Sequence, residues 1–195
     1  YFRGCTDMQI SQKISWGFYK FKATTLIALG LRQMATAQFH QMLIDFPGDM
    51  YALSSLAFLK MESGDKKGAI DDYQSIVKNS NVPAQIWYNL GFLQEEQGMV
   101  QEAEVSFLAA LKMDEHFDQA WYGLGLALIQ QKRFDEAIKA LKQNTKLQPM
   151  SPYAWYQLAR VYVEREKPDE ALKIIRHLKD FEPKFAKQLE RETGL

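Results

Sequence analysis

Cysteine is almost absent from this sequence, since the only one among its 195 residues is Cys5. A single thiol cannot form an intramolecular disulfide, so the fold does not depend on an oxidising compartment. A charge excess is also lacking, because 24 Lys and Arg residues balance 24 Asp and Glu residues. Nucleic-acid-binding proteins usually carry a basic excess, and membrane-spanning helices need an apolar run of roughly 20 residues. Neither feature is present, so we expect no nucleic-acid partner and no membrane insertion of this segment.

The remaining composition is that of an ordinary folded protein, with 47% hydrophobic and 25% charged residues. The sequence shows no secretory signal, and its first residue is Tyr1 rather than Met. The location stays unknown, although the single cysteine favours the cytoplasm. A periplasmic location stays open if a signal upstream of Tyr1 has been removed.

Residues of the same type recur every 34 positions along most of the chain. Trp87, Trp121 and Trp155 form one such series, and Leu90, Leu124 and Leu158 form another. A period of this length is typical of a stack of repeated supersecondary units. The series divide the chain into five repeats without insertions, at residues 16–49, 50–83, 84–117, 118–151 and 152–185.

Each repeat has the pattern of two helices. In the third, an apolar pattern with helical spacing is interrupted at Gly98 and resumes with Ala103. Ser151 before Pro152 is a typical helix start, and Asp118 is a candidate N-cap residue. Proline recurs where the second helix of a repeat should end, at Pro47, Pro149 and Pro183.

These repeats resemble tetratricopeptide repeats. The best matches are Trp87-Tyr-Asn-Leu-Gly91, Trp121-Tyr-Gly-Leu-Gly125 and Trp155-Tyr-Gln-Leu-Ala159, followed by Ala103, Ala137 and Ala171. The first repeat is the weakest, with Lys22 in place of the usual leucine. The resemblance implies an all-α fold, a right-handed α-solenoid of antiparallel helix pairs whose first helices line a concave groove.

Both ends of the chain have a predicted role in this solenoid. Residues 1–15 are expected to extend the first helix at its N-terminal side. Residues 186–195 have a polar pattern around Leu189 and are expected to form a capping segment. Terminal segments of this kind shield the otherwise exposed last repeat.

The side of each first helix opposite its packing stripe is unusually apolar. Counted from the first residue of repeats two to five, the stripe occupies places four, seven, eight and eleven, so places two, five, nine and twelve point away from it. Eleven of the sixteen residues at those places are apolar or aromatic. An apolar strip on an accessible surface usually marks a binding site, and aromatic residues are favoured anchors. Some of the strip is also expected to pack between neighbouring first helices, and a purely structural role for Tyr88, Tyr122 and Tyr156 stays open.

Charge adds a second feature, because the third repeat has one basic and six acidic residues. Two of the acids, Glu95 and Glu96, lie at or beside the apolar strip. Asn89 is a candidate to hold a ligand backbone through its amide, with bonding between helices as the alternative. We therefore predict a peptide-binding face that selects apolar and basic side chains, formed by Tyr51, Phe58, Tyr88, Asn89, Phe92, Glu95, Glu96, Tyr122, Leu126, Tyr156 and Arg160.

The predicted function is a protein-interaction scaffold or adaptor rather than an enzyme. The carboxylate clamp of chaperone-binding tetratricopeptide domains is not matched, since Ser54 and Phe58 replace its Lys and Asn. The histidines His40, His116 and His177 lack metal-ligand spacing, so we expect no metal, no cofactor and no catalytic residue. Two alternatives stay open: a regulatory arm of a larger protein, and a self-associating module using the aromatic first repeat (Trp16, Phe18, Tyr19 and Phe21).

Overall fold

The computed structural model describes residues 10–79 and 81–195, and every regular element in these ranges is an α-helix. The chain forms two compact units, residues 1–82 and 83–195. Unit 1 contains α1 (Ile10–Ala28), α2 (Arg32–Asp45), α3 (Met50–Glu62) and α4 (Lys66–Ile76). Unit 2 contains α5 (Ala84–Glu96), α6 (Val100–Met113), α7 (Asp118–Gln130), α8 (Phe134–Leu147), α9 (Pro152–Glu164), α10 (Pro168–Phe181) and α11 (Pro183–Thr193). The predicted all-α fold class is confirmed, whereas Cys5 and most of the predicted N-terminal extension lie outside the described residues.

The helices start at the 34-residue interval seen in the sequence. The second helices α2, α4, α6, α8 and α10 begin at Arg32, Lys66, Val100, Phe134 and Pro168. Helices α2, α8 and α10 each end two residues before a proline, as expected from Pro47, Pro149 and Pro183. The amide nitrogen of proline carries no hydrogen and its ring clashes with the preceding turn, so it stops a helix.

One turn position between paired helices has a left-handed backbone in every helix pair. Gly30, Gly64 and Gly98 occupy it with φ of 73°, 92° and 74°. Lys132 and Glu166 occupy the same position in the next two turns, with φ of 59° and 55°. Glycine adopts this conformation without a steric penalty, whereas a side chain is disfavoured there. The last two turns are therefore mildly strained.

Side-chain caps start two helices of unit 1. Asp49 accepts a hydrogen bond from the Ala52 N–H at 2.8 Å, and Asp65 accepts one from the Gly68 N–H at 2.9 Å. In unit 2 the predicted cap at Asp118 is wrong, because Phe117 is the N-cap and Asp118 is the first helical residue. An acidic residue in the first turn still interacts favourably with the helix dipole.

The unit 2 core is built by large side chains set against glycines. Phe107 of α6 packs so closely that a Cβ atom added to Gly91 would lie 2.9 Å from its ring, and one added to Gly123 only 2.6 Å away. Gly125 faces Leu141 in the same way, at 2.7 Å. Absence of a side chain on α5 and α7 therefore lets the second helices approach closely, and this packing sets the orientation of the opposite, accessible side of α5 and α7.

Helix α11 covers the last helix pair. Its Ala186 and Leu189 are fully buried in the cluster that includes Ile175 and Leu178 of α10. Its remaining positions are mostly polar, including Lys187, Gln188 and Arg191. The helix begins at Pro183, three residues before the predicted capping segment.

Candidate functional site

The accessible side of α5, α7 and α9 carries most of the residues predicted to bind. All twelve strip positions in unit 2 retain solvent-accessible surface. The opposite side is packed, as shown by Leu90, Leu124 and Leu158, which are 2%, 5% and 1% exposed. Seven of these twelve residues form what we call the first-helix face of unit 2: Tyr88, Phe92, Glu95, Tyr122, Leu126, Tyr156 and Arg160.

Tyr88 combines a packing role with a position on this face. Its ring contacts Phe107 and Phe117 at centroid distances of 6.0 and 5.2 Å, and it stacks with Phe92 at 6.4 Å. Burial raises the pKa of the Tyr88 phenol, with smaller contributions from the nearby negative charges of Asp118 and Glu95. Tyr88 is thus half inside the core, while Phe92 beside it is 38% exposed. Of the pair, Phe92 offers the freer apolar surface.

Glu95 is the acidic centre of the face. Its carboxylate accepts a 2.7 Å hydrogen bond from Gln130 Nε2 of α7. Partial burial raises the pKa of Glu95, the Gln130 hydrogen bond opposes that rise, and the charge of Glu96 adds to it. A carboxylate whose pKa is raised by burial has lost part of its favourable interaction with water. An approaching cation stabilises its charged form and so compensates for that loss. The site is therefore suited to an incoming ammonium or guanidinium group.

Tyr122 and Leu126 continue the face on α7. Both are partly accessible. Burial raises the pKa of the Tyr122 phenol, a hydrogen bond with Gln157 of α9 opposes this, and the charge of Glu95 adds to it. The charge of Glu95 thus acts on a tyrosine of α5 and on a tyrosine of α7.

Tyr156 and Arg160 mark the end of the face next to α11. The Tyr156 hydroxyl donates to Glu192 Oε2 at 2.5 Å and accepts from Gln188 Nε2 at 3.0 Å. Its ring packs against Phe185 at 5.8 Å, and the Arg160 guanidinium lies 5.9 Å above it. These contacts attach Tyr156 to the last helix, so its hydroxyl is already engaged, whereas Arg160 is exposed.

Asn89 and Glu96 lie beside the face. Asn89 Oδ1 accepts a 2.8 Å hydrogen bond from Gln85 Nε2, one turn earlier on the same helix. This bond lies within α5 and is not the bond between helices considered from the sequence. Glu96 is exposed at the end of α5.

The two predicted residues of unit 1 are in different situations. Tyr51 packs against Trp16 and Phe39, each at 5.9 Å, and the Lys20 ammonium lies 4.8 Å from its ring centre. Burial raises the pKa of its phenol. Phe58 is 40% exposed. Tyr51 therefore has mainly structural contacts, and Phe58 is the accessible one.

Sequence reasoning missed the amides that hold this face in place. Gln130 forms a hydrogen bond with Glu95, and Gln157 forms one with Tyr122. Gln188 forms a hydrogen bond with Tyr156. The one available signal was position: Gln130 follows Ile129, a strip residue, directly. Amide side chains donate and accept, so they can bridge helices without adding charge.

The part of the chain that the structure describes contains no group of three or more His, Cys, Asp and Glu residues placed to hold a metal ion. Nor is any helix within residues 10–79 and 81–195 both long and apolar enough to cross a membrane.

Comparison with known protein families gives a match to part of the chain. A family model described as anaphase-promoting complex, cyclosome, subunit 3 matches residues 96–178. No curated protein sequence matches significantly.

Solved structures share the fold over most of the chain. MamA superposes with a TM-score of 0.74 at 21% identity, covering 92% of this chain and 93% of that one. YrrB, described as a TPR protein with an unusual peptide-binding site, has a TM-score of 0.77 at 19% identity over 89% and 90% of the two chains. A tetratricopeptide repeat protein from Parabacteroides merdae has a TM-score of 0.78 at 19% identity over 92% and 74%. The Trp, Leu and Gly motifs at 34-residue spacing match tetratricopeptide repeats, and the chain shares the fold of solved tetratricopeptide repeat proteins.

Proposed function

We propose that the first-helix face of unit 2 binds a segment of another protein that carries apolar side chains and at least one Lys or Arg. The observation that carries this proposal is a half-buried carboxylate, Glu95, set among accessible aromatic and aliphatic side chains. Aromatic residues contribute large contact area at low entropic cost. The function is that of an interaction scaffold, and we assign no catalytic step, metal or cofactor to it.

The apolar part of the recognition is assigned to Phe92 and Leu126. Phe92 is 38% exposed and lies on α5, and Leu126 is partly accessible on the neighbouring α7. Complete burial of a Phe or Leu side chain stabilises by about 1.5–3 kcal/mol. Because both are already partly covered, each is expected to contribute less than this, on the order of 1 kcal/mol.

The charged part is assigned to Glu95 with Glu96. Glu95 is already partly desolvated in the free protein, so binding a partner cation requires less further desolvation of this carboxylate. Arg160 lies toward α11 on the same face, and we propose that it meets a carbonyl or carboxylate of the ligand. We propose that Asn89 forms a hydrogen bond with the ligand backbone. Tyr88, Tyr122 and Tyr156 would then contact the sides of the ligand.

The wider arrangement is also part of the proposal. We propose that the five 34-residue repeats present their first helices to ligand, so Tyr51 and Phe58 of unit 1 occupy equivalent places. YrrB, which shares this fold, is described as having a peptide-binding site, and this supports a peptide ligand.

A peptide-display selection on the purified chain tests the apolar assignment. Selected peptides are expected to be enriched in apolar residues and in Lys or Arg. Phe92→Ala and Leu126→Ala should each weaken the binding of a selected peptide roughly fivefold, which corresponds to the order of 1 kcal/mol. Leu108→Ala is the matched control, because Leu108 is 48% exposed on α6 of the same unit. Equal losses for all three variants, or no loss at Phe92 and Leu126, would contradict the assignment.

The charge assignment has its own control. Glu95→Gln and Glu96→Gln should weaken the peptide and reduce the salt dependence of its affinity. Glu102→Gln should do neither, because Glu102 is exposed on α6, the second helix of the pair. An unchanged affinity and salt dependence in the Glu95 and Glu96 variants would remove the charge from the proposal.

A further inference from the structure

Helix α1 exposes an apolar surface that no other described residue covers. Four large side chains on it are 62–79% exposed: Ile10 (79%), Ile14 (68%), Phe18 (62%) and Phe21 (70%). Leu29, just after the helix, is 67% exposed. We call these five residues the α1 outer face. With about 150–250 Å² buried per aromatic ring when fully covered, the two phenylalanines alone expose roughly 200–300 Å².

The α1 outer face is a continuous stripe. At about 100° per residue its four members within α1 lie inside an arc of roughly 80°. Ala23, which is fully buried, points almost directly away from that arc. Helix α1 is therefore apolar on both sides, a pattern that belongs to a helix covered on both sides.

A groove runs between α1 and α2 along one edge of this stripe. It has a volume of about 490 Å³ and is lined by Phe18, Lys22 and Leu26 of α1 and by Met34, Ala37 and Gln41 of α2. Met34 is itself 56% exposed. A concave slot between two antiparallel helices accommodates a third helix, because ridges of side chains on one helix fit the grooves of another.

Helix α1 itself carries charges of one sign. Helix α1 contains Lys13, Lys20 and Lys22 and no Asp or Glu. Lys22 borders the stripe on the groove side, and Lys13 and Lys20 border it on the other side. Lys20 Nζ is occupied over the Trp16 and Tyr51 rings, at 5.2 and 4.8 Å. The nearby Asp45 accepts the Tyr19 hydroxyl. Lys13 and Lys22 are thus the cations offered to a partner.

We propose that the α1 outer face and the α1–α2 groove bind an amphipathic helix of a separate protein, one whose apolar stripe is flanked by Asp or Glu. Helix α1 has 19 residues, which at 1.5 Å per residue is about 28 Å and matches a partner helix of about five turns. Symmetric pairing of two α1 helices places lysines against lysines and is disfavoured. A lipid surface is flat, so it leaves the α1–α2 groove unfilled. This surface belongs to unit 1, and the proposal does not depend on the first-helix face of unit 2.

Two designed peptides test the proposal on the whole 195-residue chain. The acidic probe is a stapled amphipathic helix with leucines at positions i, i+3, i+4 and i+7 and glutamates flanking them. The basic probe has lysine in place of each glutamate. Binding is measured by fluorescence anisotropy, and the acidic probe is expected to bind at least tenfold more tightly.

Variants locate the probe on the protein. Lys13→Glu with Lys22→Glu should weaken the acidic probe about tenfold, a loss of about 1.4 kcal/mol, and should reverse the preference between probes. Phe18→Gln with Phe21→Gln should weaken both probes at least tenfold. The matched control, Val105→Gln with Leu108→Gln, changes side chains that are 64% and 48% exposed on α6 and should change neither affinity. Circular dichroism confirms that each variant is folded, and the charge variants, which keep every apolar contact, test the proposal independently.

Three results would overturn this inference. The first is equal binding of both probes, or acidic-probe affinity that survives both α1 variants. The second is binding to anionic phosphatidylserine vesicles that requires Phe18 and Phe21 while neither peptide binds, which assigns the face to a membrane surface. The third is a dimer, seen by light scattering, that Phe18→Gln with Phe21→Gln abolishes. Loss of acidic-probe binding in Phe92→Ala would instead place the probe on unit 2, so failure here is distinguishable from failure of the proposed function.

Discussion

Replacing Gly123 by alanine should destabilise unit 2, although alanine is the better helix former. A Cβ atom at this position lies 2.6, 2.7 and 3.0 Å from Cζ, Cε1 and Cε2 of Phe107. The Phe107 side chain is 1% exposed, and its ring also lies close against the backbone at Gly91 of α5. The ring therefore has no free space into which it could move. Overpacking of this kind costs about 1–3 kcal/mol, and the helix propensity of alanine returns about 1 kcal/mol. We expect a net loss of about 1 kcal/mol.

The control is the same substitution in open space. Gly17 lies within α1, and a Cβ atom there meets nothing within 4 Å. Gly17→Ala should therefore stabilise unit 1 by roughly 0.5–1 kcal/mol. Urea unfolding monitored by far-UV circular dichroism, with hydrogen exchange to separate the two units, measures both changes.

A double mutant identifies the cause. Phe107→Leu removes the atoms that clash, so the combined Gly123→Ala and Phe107→Leu protein should be more stable than the sum of the single effects predicts, by at least about 0.5 kcal/mol. The ring of Phe107 also supports Tyr88 at 6.0 Å, so Gly123→Ala should weaken a peptide bound to the first-helix face. If Gly123→Ala stabilised the protein as Gly17→Ala does, the packing argument would be refuted.

Three further predictions follow from local features. Lys132→Gly and Glu166→Gly should each raise stability by about 0.5–1 kcal/mol, because both residues have a positive φ. Thermal unfolding measures the change, and the control Lys139→Gly within α8 should lower stability instead. Lower stability of the two turn variants would refute the backbone strain. Asp49→Ala should lower the free energy of unfolding of unit 1 by about 2 kcal/mol, since Asp49 accepts hydrogen bonds from both the Ala52 N–H and Trp16 Nε1, each at 2.8 Å. Asp49→Asn retains an acceptor and should lower it less. Equal urea midpoints for the two variants would contradict the capping role. Because burial raises the pKa of Glu95, its ionisation opposes folding as the pH rises through that pKa, so Glu95→Gln should be at least as stable as the parent at pH 7, with the difference disappearing below the pKa of glutamate in the unfolded chain. In the parent the affinity for a basic peptide should fall as the pH drops through the raised pKa; a pH profile unchanged by Glu95→Gln would show that this carboxylate is not the titrating group.

Much of the first-helix face was predictable because helical periodicity determines which residues point away from the core. Phe92 and Phe58 were predicted to be accessible, and they are 38% and 40% exposed. Gly91 and Gly125 recur at the same place in the repeated motif, and both face large side chains within 3 Å of where a Cβ atom would lie. These results follow from a spacing of 3.6 residues per turn, which a single sequence displays directly.

The state of each polar group on the face was not predictable in the same way. Glu95 and Gln130 are 35 residues apart, and Tyr156 and Glu192 are 36 apart. A periodic pattern predicts that such residues share a side of the fold, but it does not determine which rotamers meet. The engagement of the Tyr156 hydroxyl by α11 and the contact of Asn89 with Gln85 therefore required the structure.

The sequence by itself determined the period, the paired helices and the apolar side that α5, α7 and α9 leave accessible, because hydrogen bonding within helices and turn preferences act over a few residues and repeat every 34. Only the tertiary structure decided how Phe107 lies against two glycines, how far Glu95 is desolvated, and that the outer side of α1 stays uncovered by the described residues. Each of these depends on which distant side chains are present at a surface and on how much water they exclude. Burial and contact between helices are properties of the assembled fold, so no local pattern contains them.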